Sequence, residues 1–404
     1  MTGLPRGPGA RAAAAFVLAW TLVVTLLRTV RWPNDFAEAH WLLDYRIGLI
    51  KRGLAGELLS LATGLAGTRP DETIIRALSA AIFALLVAAL GAVAWRVATR
   101  DRWSAASVAT VAAFLSSSYV VMAAHLLGYL DHLVVLLTVV AVFLMMRGRA
   151  WWAGGLVAVA VLVHEQALVV GVPPVALAWL LASGVLRARG AARLPALPAL
   201  LPLASCGALA ASGARLSPDV FQDTFVRHLG SSPFVGGDMH LFVPEWLAGS
   251  VIDSAGGQLH RFAERLTSRD ILAFVLPSVA AMVAFAAGRF RVGRLGAAAL
   301  VTAVAAPQLL HMAGWDTVRI WTFSIVAAFI CAWIVAETCP SSGHGASPGV
   351  IAISLAAMLV NVTTAVPLYD NLTERFDLGT RLWLYAPALA GCLWWLVIGW
   401  RRRT

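Results

Sequence analysis

Apolar runs recur along this chain so often that its backbone can only be satisfied by helices packed in lipid, since no water is available there to take up unpaired amide groups. They lie near 12–31, 74–95, 104–124, 132–146, 151–169, 172–186, 194–213, 271–288, 296–311, 317–337, 349–366 and 382–400. The spacing predicts an all-α polytopic membrane protein with about twelve transmembrane helices, forming a single integral-membrane domain over residues 1–404. Composition agrees. With 60% hydrophobic residues, 13% charged residues and a mean hydropathy of +0.79, a soluble globular class is excluded. The fifth and sixth runs are so close together that "GVPP" (171–174) is predicted to be the turn between them.

Arginine sets the orientation, because short cytoplasmic loops collect basic residues. Arg6 and Arg11, Arg96, Arg100 and Arg102, Arg147 and Arg149, Arg187, Arg189 and Arg193, Arg289, Arg291 and Arg294, and Arg401, Arg402 and Arg403 all fall on one side. Only the loop at 339–348 lacks a basic marker. The expectation is a plasma (inner) membrane protein with both termini cytoplasmic, its first span acting as a signal anchor because "TLLRTVRWPN" offers no small-residue cleavage site. Of the 21 Asp and Glu residues, only Asp101 and Glu337 then fall on the cytoplasmic side. Chemistry is therefore expected on the extracytoplasmic face.

Other classes fare worse. The net charge of +10 is spread over the topology-marking arginines, with Lys51 the single lysine, so no basic domain exists to hold nucleic acid. Cys206, Cys331, Cys339 and Cys392 show no CxxC spacing. The two long outer loops, 32–73 and 214–270, are too short for a nucleotide-binding α/β domain. Any activated substrate must then arrive by another route, of which a lipid carrier within the bilayer is the obvious one.

The first loop carries "LLDYRIGLIKRGLAGELL" (42–59), in which Leu43, Ile47, Ile50, Leu54, Leu58 and Leu61 recur at helical spacing while Arg52 projects opposite. This predicts an amphipathic interfacial helix. Its charges, Asp44, Arg46, Lys51 and Arg52, are either functional or merely headgroup contacts and a local ion pair. Further ionisable groups stand at the outer ends of spans: Asp131 and His132 in "HLLGYLDHL", His164 and Glu165 in "VLVHEQALVV", and His311, Asp316 and Arg319 in "LLHMAGWDTVRIW". Each has a structural alternative: a helix cap, a buried pair, or an i, i+3 ion pair for Asp316 and Arg319. Together, at one depth on one side, they mark a candidate site.

An acid-bearing first outer loop, a surface helix after the first span and a second long loop after the seventh resemble the GT-C superfamily of membrane glycosyltransferases, which includes protein mannosyltransferases, oligosaccharyltransferases and lipid A aminoarabinose transferases. The stretches "DYRIGLIKRGLAGELL" and "GWDTVRIW" also resemble bacterial membrane proteins grouped with cell-surface polysaccharide functions. The paired DE or DxD acids of some members are absent: Asp35, Glu38 and Asp44 stand apart, and Asp131 is followed by His132. The resemblance implies transfer of a sugar from a polyprenyl-(di)phosphate donor to a glycan, lipid or protein acceptor. It implies Asp44 or Asp35 as general base, and Arg46, Lys51, Arg52 or Arg319 on the lipid phosphate. Asp131, His132, His164, Glu165 and Asp316 would line the substrate pocket, and "SSPFVGGDMHLFVPEW" (231–246) would close over the acceptor, with Gly236 and Gly237 as a hinge and Phe242 and Trp246 as flat faces for sugar rings.

No cofactor is expected. His228, His240, His311 and nearby acids show no metal-ligand spacing on one helix, so a divalent metal is not indicated. The rival classes are a transporter or lipid flippase, which predicts related halves and broken helices with polar residues near the midplane, a polysaccharide polymerase or ligase, and a non-catalytic envelope partner.

Overall fold

A computed structural model describes residues 8–183 apart from 48, 49 and 69, then 201–202, 204–205 and 223, and finally 262–401 apart from 267, 313–315, 343–347 and 369–371. Most of the predicted span at 194–213 and nearly all of the loop 214–270, with His228, His240 and the stretch 231–246, fall outside the described residues, as does Cys206.

Among the described residues the chain is helical, and strand pairing is limited to one isolated bridge between Phe290 and Ser341. The helices are α1 (Pro8–Leu27), α2 (Asp35–His40), α3 (Gly53–Leu65), α4 (Glu72–Arg100), α5 (Ala105–Leu115), α6 (Ser118–His125), α7 (Asp131–Met146), α8 (Ala150–Val163), α9 (Ala167–Val170), α10 (Val172–Ala182), α11 (Phe262–Leu266), α12 (Arg269–Arg289), α13 (Gly293–Ala305), α14 (Thr317–Thr338), α15 (Pro348–Thr363) and α16 (Leu378–Arg401). Among the described residues, six stretches are long and apolar enough to cross a membrane: α1, α4, α5 with α6, most of α12, α13 with the 3-10 turn after it, and α14. The apolar helices α3, α7, α8, α9 with α10, and α15 are shorter. Several apolar helices of this length are compatible with a membrane protein.

At the centre lies α14, whose side chains from Ile320 to Ala336 are all buried. Apolar on every face, as a helix enclosed by others must be, it packs on α5 through the stacked rings of Phe114 and Phe329, 3.7 Å apart. The span α5–α6 is interrupted at Ser116 and Ser117. Asn361 of α15 bridges the break, its amide donating to the Ala113 carbonyl at 3.1 Å and to Ser116 Oγ at 3.3 Å.

Ion pairs sort the loops into two ends. At one, Arg96 and Arg100 meet Glu337, and Asp101 meets Arg289. The 339–348 loop, which has no arginine of its own, is held there by backbone bonds from Arg291 to Pro340 and from Ser342 to Arg289. At the opposite end lie α2, the start of α3, Asp131, Glu165 and Arg319. The loops of Arg96 and Arg100, of Arg289 and Arg291, and of residues 339–342 thus share one end.

Two local expectations are corrected. The stretch from Leu43 to Leu61 is not one helix: a 3-10 turn over Tyr45–Ile47 is followed by Arg52 in the left-handed region at φ +65°, and α3 begins only at Gly53. A Cβ at Gly56 would lie 2.1 Å from the Leu43 carbonyl oxygen, so the loop folds back against the start of α3 rather than continuing it. The turn between the fifth and sixth runs is not "GVPP". The chain turns at His164–Gln166, where His164 is extended at φ −161°, and the prolines sit in the first turn of α10, where a missing N–H costs nothing.

Candidate active site

The site is built on helices that stop short. With 16 residues in α7 and 14 in α8, these elements reach about 24 and 21 Å, below the ~30 Å of an apolar bilayer core. The first loop packs against their Asp131 and His164 ends. Asn34 caps α2 through the Ala37 amide at 2.9 Å, and the Trp41 indole donates to the Gly128 carbonyl at 2.8 Å, pinning α2 beside the α6–α7 turn. Gly128 has φ +97°, and a Cβ there would lie 2.7 Å from Pro33. Only glycine permits both that turn and that approach.

Arg52, with its backbone in the left-handed region, reaches these helix ends from the first loop. Its Nη2 lies 2.7 Å from Glu165 Oε1 and its Nε 3.2 Å from Oε2, while Nη1 is 3.1 Å from His40 Nε2. Glu165 Oε2 is 3.4 Å from His164 Nδ1, and His164 Nε2 is 3.9 Å from Asp131 Oδ1. Gln166 donates its amide N–H to His164 Nδ1 at 3.2 Å, which assigns the proton on His164 to Nε2, facing Asp131. The Gln166 side chain donates to Asp131 Oδ1 at 2.5 Å. From α14, Arg319 Nε stands 3.5 Å from Asp131 Oδ2 and 3.4 Å from Asp316 Oδ2, with its guanidinium over the Tyr129 ring at 5.5 Å. Lys51, also buried, is close enough to Glu165 to act on its charge. Arginine, carboxylate and imidazole thus alternate from Arg52 to Asp316. Several separations exceed a direct hydrogen bond, so the groups are gathered without being locked together.

Of the residues singled out in the sequence, Lys51, Arg52, Asp131, His164, Glu165, Asp316 and Arg319 meet here. Others do not join the chain of contacts. His132 packs its ring on Phe83 at 5.2 Å. Asp44 is 1% exposed, with Oδ2 2.9 Å from Arg46 Nε and 2.5 Å from Nη2 and Oδ1 accepting from the Arg46 amide at 3.0 Å; Arg46 also reaches Ser60. Asp35 is exposed in the first turn of α2. His311 is buried beside Gln308, whose side chain donates onward to Ser324 at 2.7 Å. Among the described residues no group of three or more His, Cys, Asp or Glu side chains has the arrangement of a metal site.

Three contributors went unnoticed in the sequence. Gln166 directly follows His164 and Glu165, and Tyr129 precedes Asp131 by two, so proximity to ionisable residues was the available signal. His40 gave little, since nothing local shows that the end of α2 faces Arg52. Burial, and then the Arg52 charge, push the His40 imidazole down to about 3, so it is neutral at physiological pH.

Comparison with known proteins supplies no relative: no family model, curated protein or solved structure matches this chain.

Proposed function

We propose that this chain is an inner-membrane glycosyltransferase of the GT-C type with about twelve crossings, both termini cytoplasmic and the Asp131 end facing outward. In this reading it moves a sugar from a polyprenyl-(di)phosphate donor to a glycan, lipid or protein acceptor at the outer boundary. The observation that carries it is the convergence of Arg52, Asp131, Glu165 and Arg319, from four distant segments, at one end of a largely apolar body. Ionisable groups are expensive there without a function. A small open apolar crevice between α1, α4, α5 and α6, lined by Leu22, Phe83, Leu90 and Tyr119 among others, adds apolar surface beside His132, whose ring packs on Phe83. The exposed Leu58, Leu61 and Leu65 of α3 suit contact with lipid.

In the mechanism, a carboxylate takes the proton of an acceptor hydroxyl as its oxygen bonds to the anomeric carbon. The bond from that carbon to the phosphate oxygen breaks with inversion, and its electron pair leaves on the lipid phosphate. Arg52 and Arg319 offset the growing charge. Asp131 suits the base better than Asp44 or Asp35, because its Oδ2 lies beyond hydrogen-bond distance of Arg319, whereas both oxygens of Asp44 are held by Arg46. The test is reconstitution in lipid nanodiscs with radiolabelled polyprenyl mono- and diphosphate sugars. Wild type should release labelled sugar or pass it to an acceptor, and Asp131→Asn should not.

A second reading, a transporter or flippase, gains support from the α5–α6 break: it falls about 17 Å along the span, near the midplane, and the Ser117 and Ser118 hydroxyls are buried without hydrogen-bond partners among the described residues. Proteoliposomes that move lipid or solute while no donor in the panel is consumed would establish that reading instead.

A further inference from the structure

The Phe36 carbonyl can only accept a hydrogen bond, and His40 Nδ1 lies 2.7 Å from it. The imidazole proton must therefore sit on Nδ1, which leaves the Nε2 lone pair facing Arg52 Nη1 at 3.1 Å. Phe36 also packs edge-on against the same ring at 4.5 Å, fixing its plane. Glu165 engages Nε and Nη2 of the guanidinium. Of its five N–H bonds, one on each terminal nitrogen then has no partner among the described residues.

From this geometry we infer that His40 is a positioning residue: acting with Glu165, it fixes the Arg52 guanidinium so that its two remaining N–H bonds receive the phosphate of a lipid carrier. The inference rests on the function proposed above for the phosphate, and it adds why that guanidinium is preset. A left-handed backbone at a non-glycine residue is strained, and the side-chain contacts at both edges of Arg52 hold it in place. A flexible arginine would lose freedom on meeting phosphate; one already clamped loses less.

The experiment measures binding of a polyprenyl monophosphate carrying no sugar to full-length protein in nanodiscs, by native mass spectrometry and by titration. Arg52→Ala should lose binding. His40→Ala should weaken it by about tenfold, the equivalent of one lost hydrogen bond to a charged group. His40→Gln, whose amide oxygen reaches the position of Nε2, should stay within about threefold of wild type, while His40→Asn falls short and behaves like alanine. If His40→Ala does not fold, the Gln and Asn variants carry the comparison. Equal binding by wild type and His40→Ala, equal weakness of the Gln and Asn variants, or unaltered binding by Arg52→Ala would each overturn the inference. Because the readout is phosphate binding, a protein that binds through Arg52 and His40 yet transfers no sugar would defeat the glycosyltransferase reading and leave this one standing.

Discussion

At one end of the helical body Asp101 meets Arg289 through contacts of 2.6, 3.1 and 3.2 Å, and Glu337 meets Arg96 at 2.7 Å and Arg100 at 2.5 Å. At the other, Asp131 stands 3.5 Å from Arg319 and 3.9 Å from His164, and a single arginine is shared between Asp131 and Asp316. The residue types are the same and the outcome differs. Where each carboxylate has well-aligned guanidinium partners, the charges join loops. Where partners are shared and spaced beyond hydrogen-bond distance, the pairing is looser, as the proposed function requires. Arg28 shows that the difference does not follow from the end alone: fully buried near the acid-rich loops, it grips Glu374 through two 2.8 Å bonds and donates to the Asn361 carbonyl, a satisfied arrangement of the structural kind.

The comparison breaks most visibly at Asp131. Asn at this position should lower sugar release by roughly 10²–10⁴-fold, the usual share of a general base, while lipid-phosphate binding persists; turnover and binding measured on one preparation check both parts. At the opposite end, Asp101→Ala should remove the carboxylate that accepts from the buried Arg289. A loss of about 3–5 kcal/mol is expected, read as a lower unfolding midpoint in detergent, with donor affinity in the surviving folded fraction unchanged. If Asp101→Ala abolished binding instead, the division between the ends would be wrong.

Asp44→Asn sharpens the contrast within the first loop. As a partner of Arg46 it should cost about 1–3 kcal/mol of stability with turnover reduced less than in Asp131→Asn; a full loss of turnover in a stable protein would restore Asp44 as the base. His40 gives a pH signature. Its folded pKa, about 3, lies below the ordinary 6.5, so between these values the unfolded chain takes up a proton that the folded one refuses. The contribution is complete above about 6.5 and is lost as pH falls toward 3. The unfolding midpoint of wild type should therefore drop from pH 7 to pH 5 more steeply than that of His40→Gln. The smallest effect is expected for Arg100→Ala, because its half-exposed side chain shares Glu337 with Arg96: about 0.2–1 kcal/mol.

The long apolar runs lie within about six residues of described helices, because a 20-residue greasy run has no other way to satisfy its backbone away from water. Helix breaks were hidden: nothing in "FLSSSYV" or "VLVHEQA" distinguishes an interruption from a continuous span, since the compensating groups, Asn361 in one case and Arg52 with Asp131 in the other, come from far along the chain. Sequence by itself determined the all-helical class of the molecule and its apolar segments, both of which follow from solvent preference summed along a segment. Only tertiary structure decided which acids meet which bases, and so why Asp131 stands in a loose cluster while Asp44 and Asp101 are held, because pairing depends on distances that no local pattern encodes.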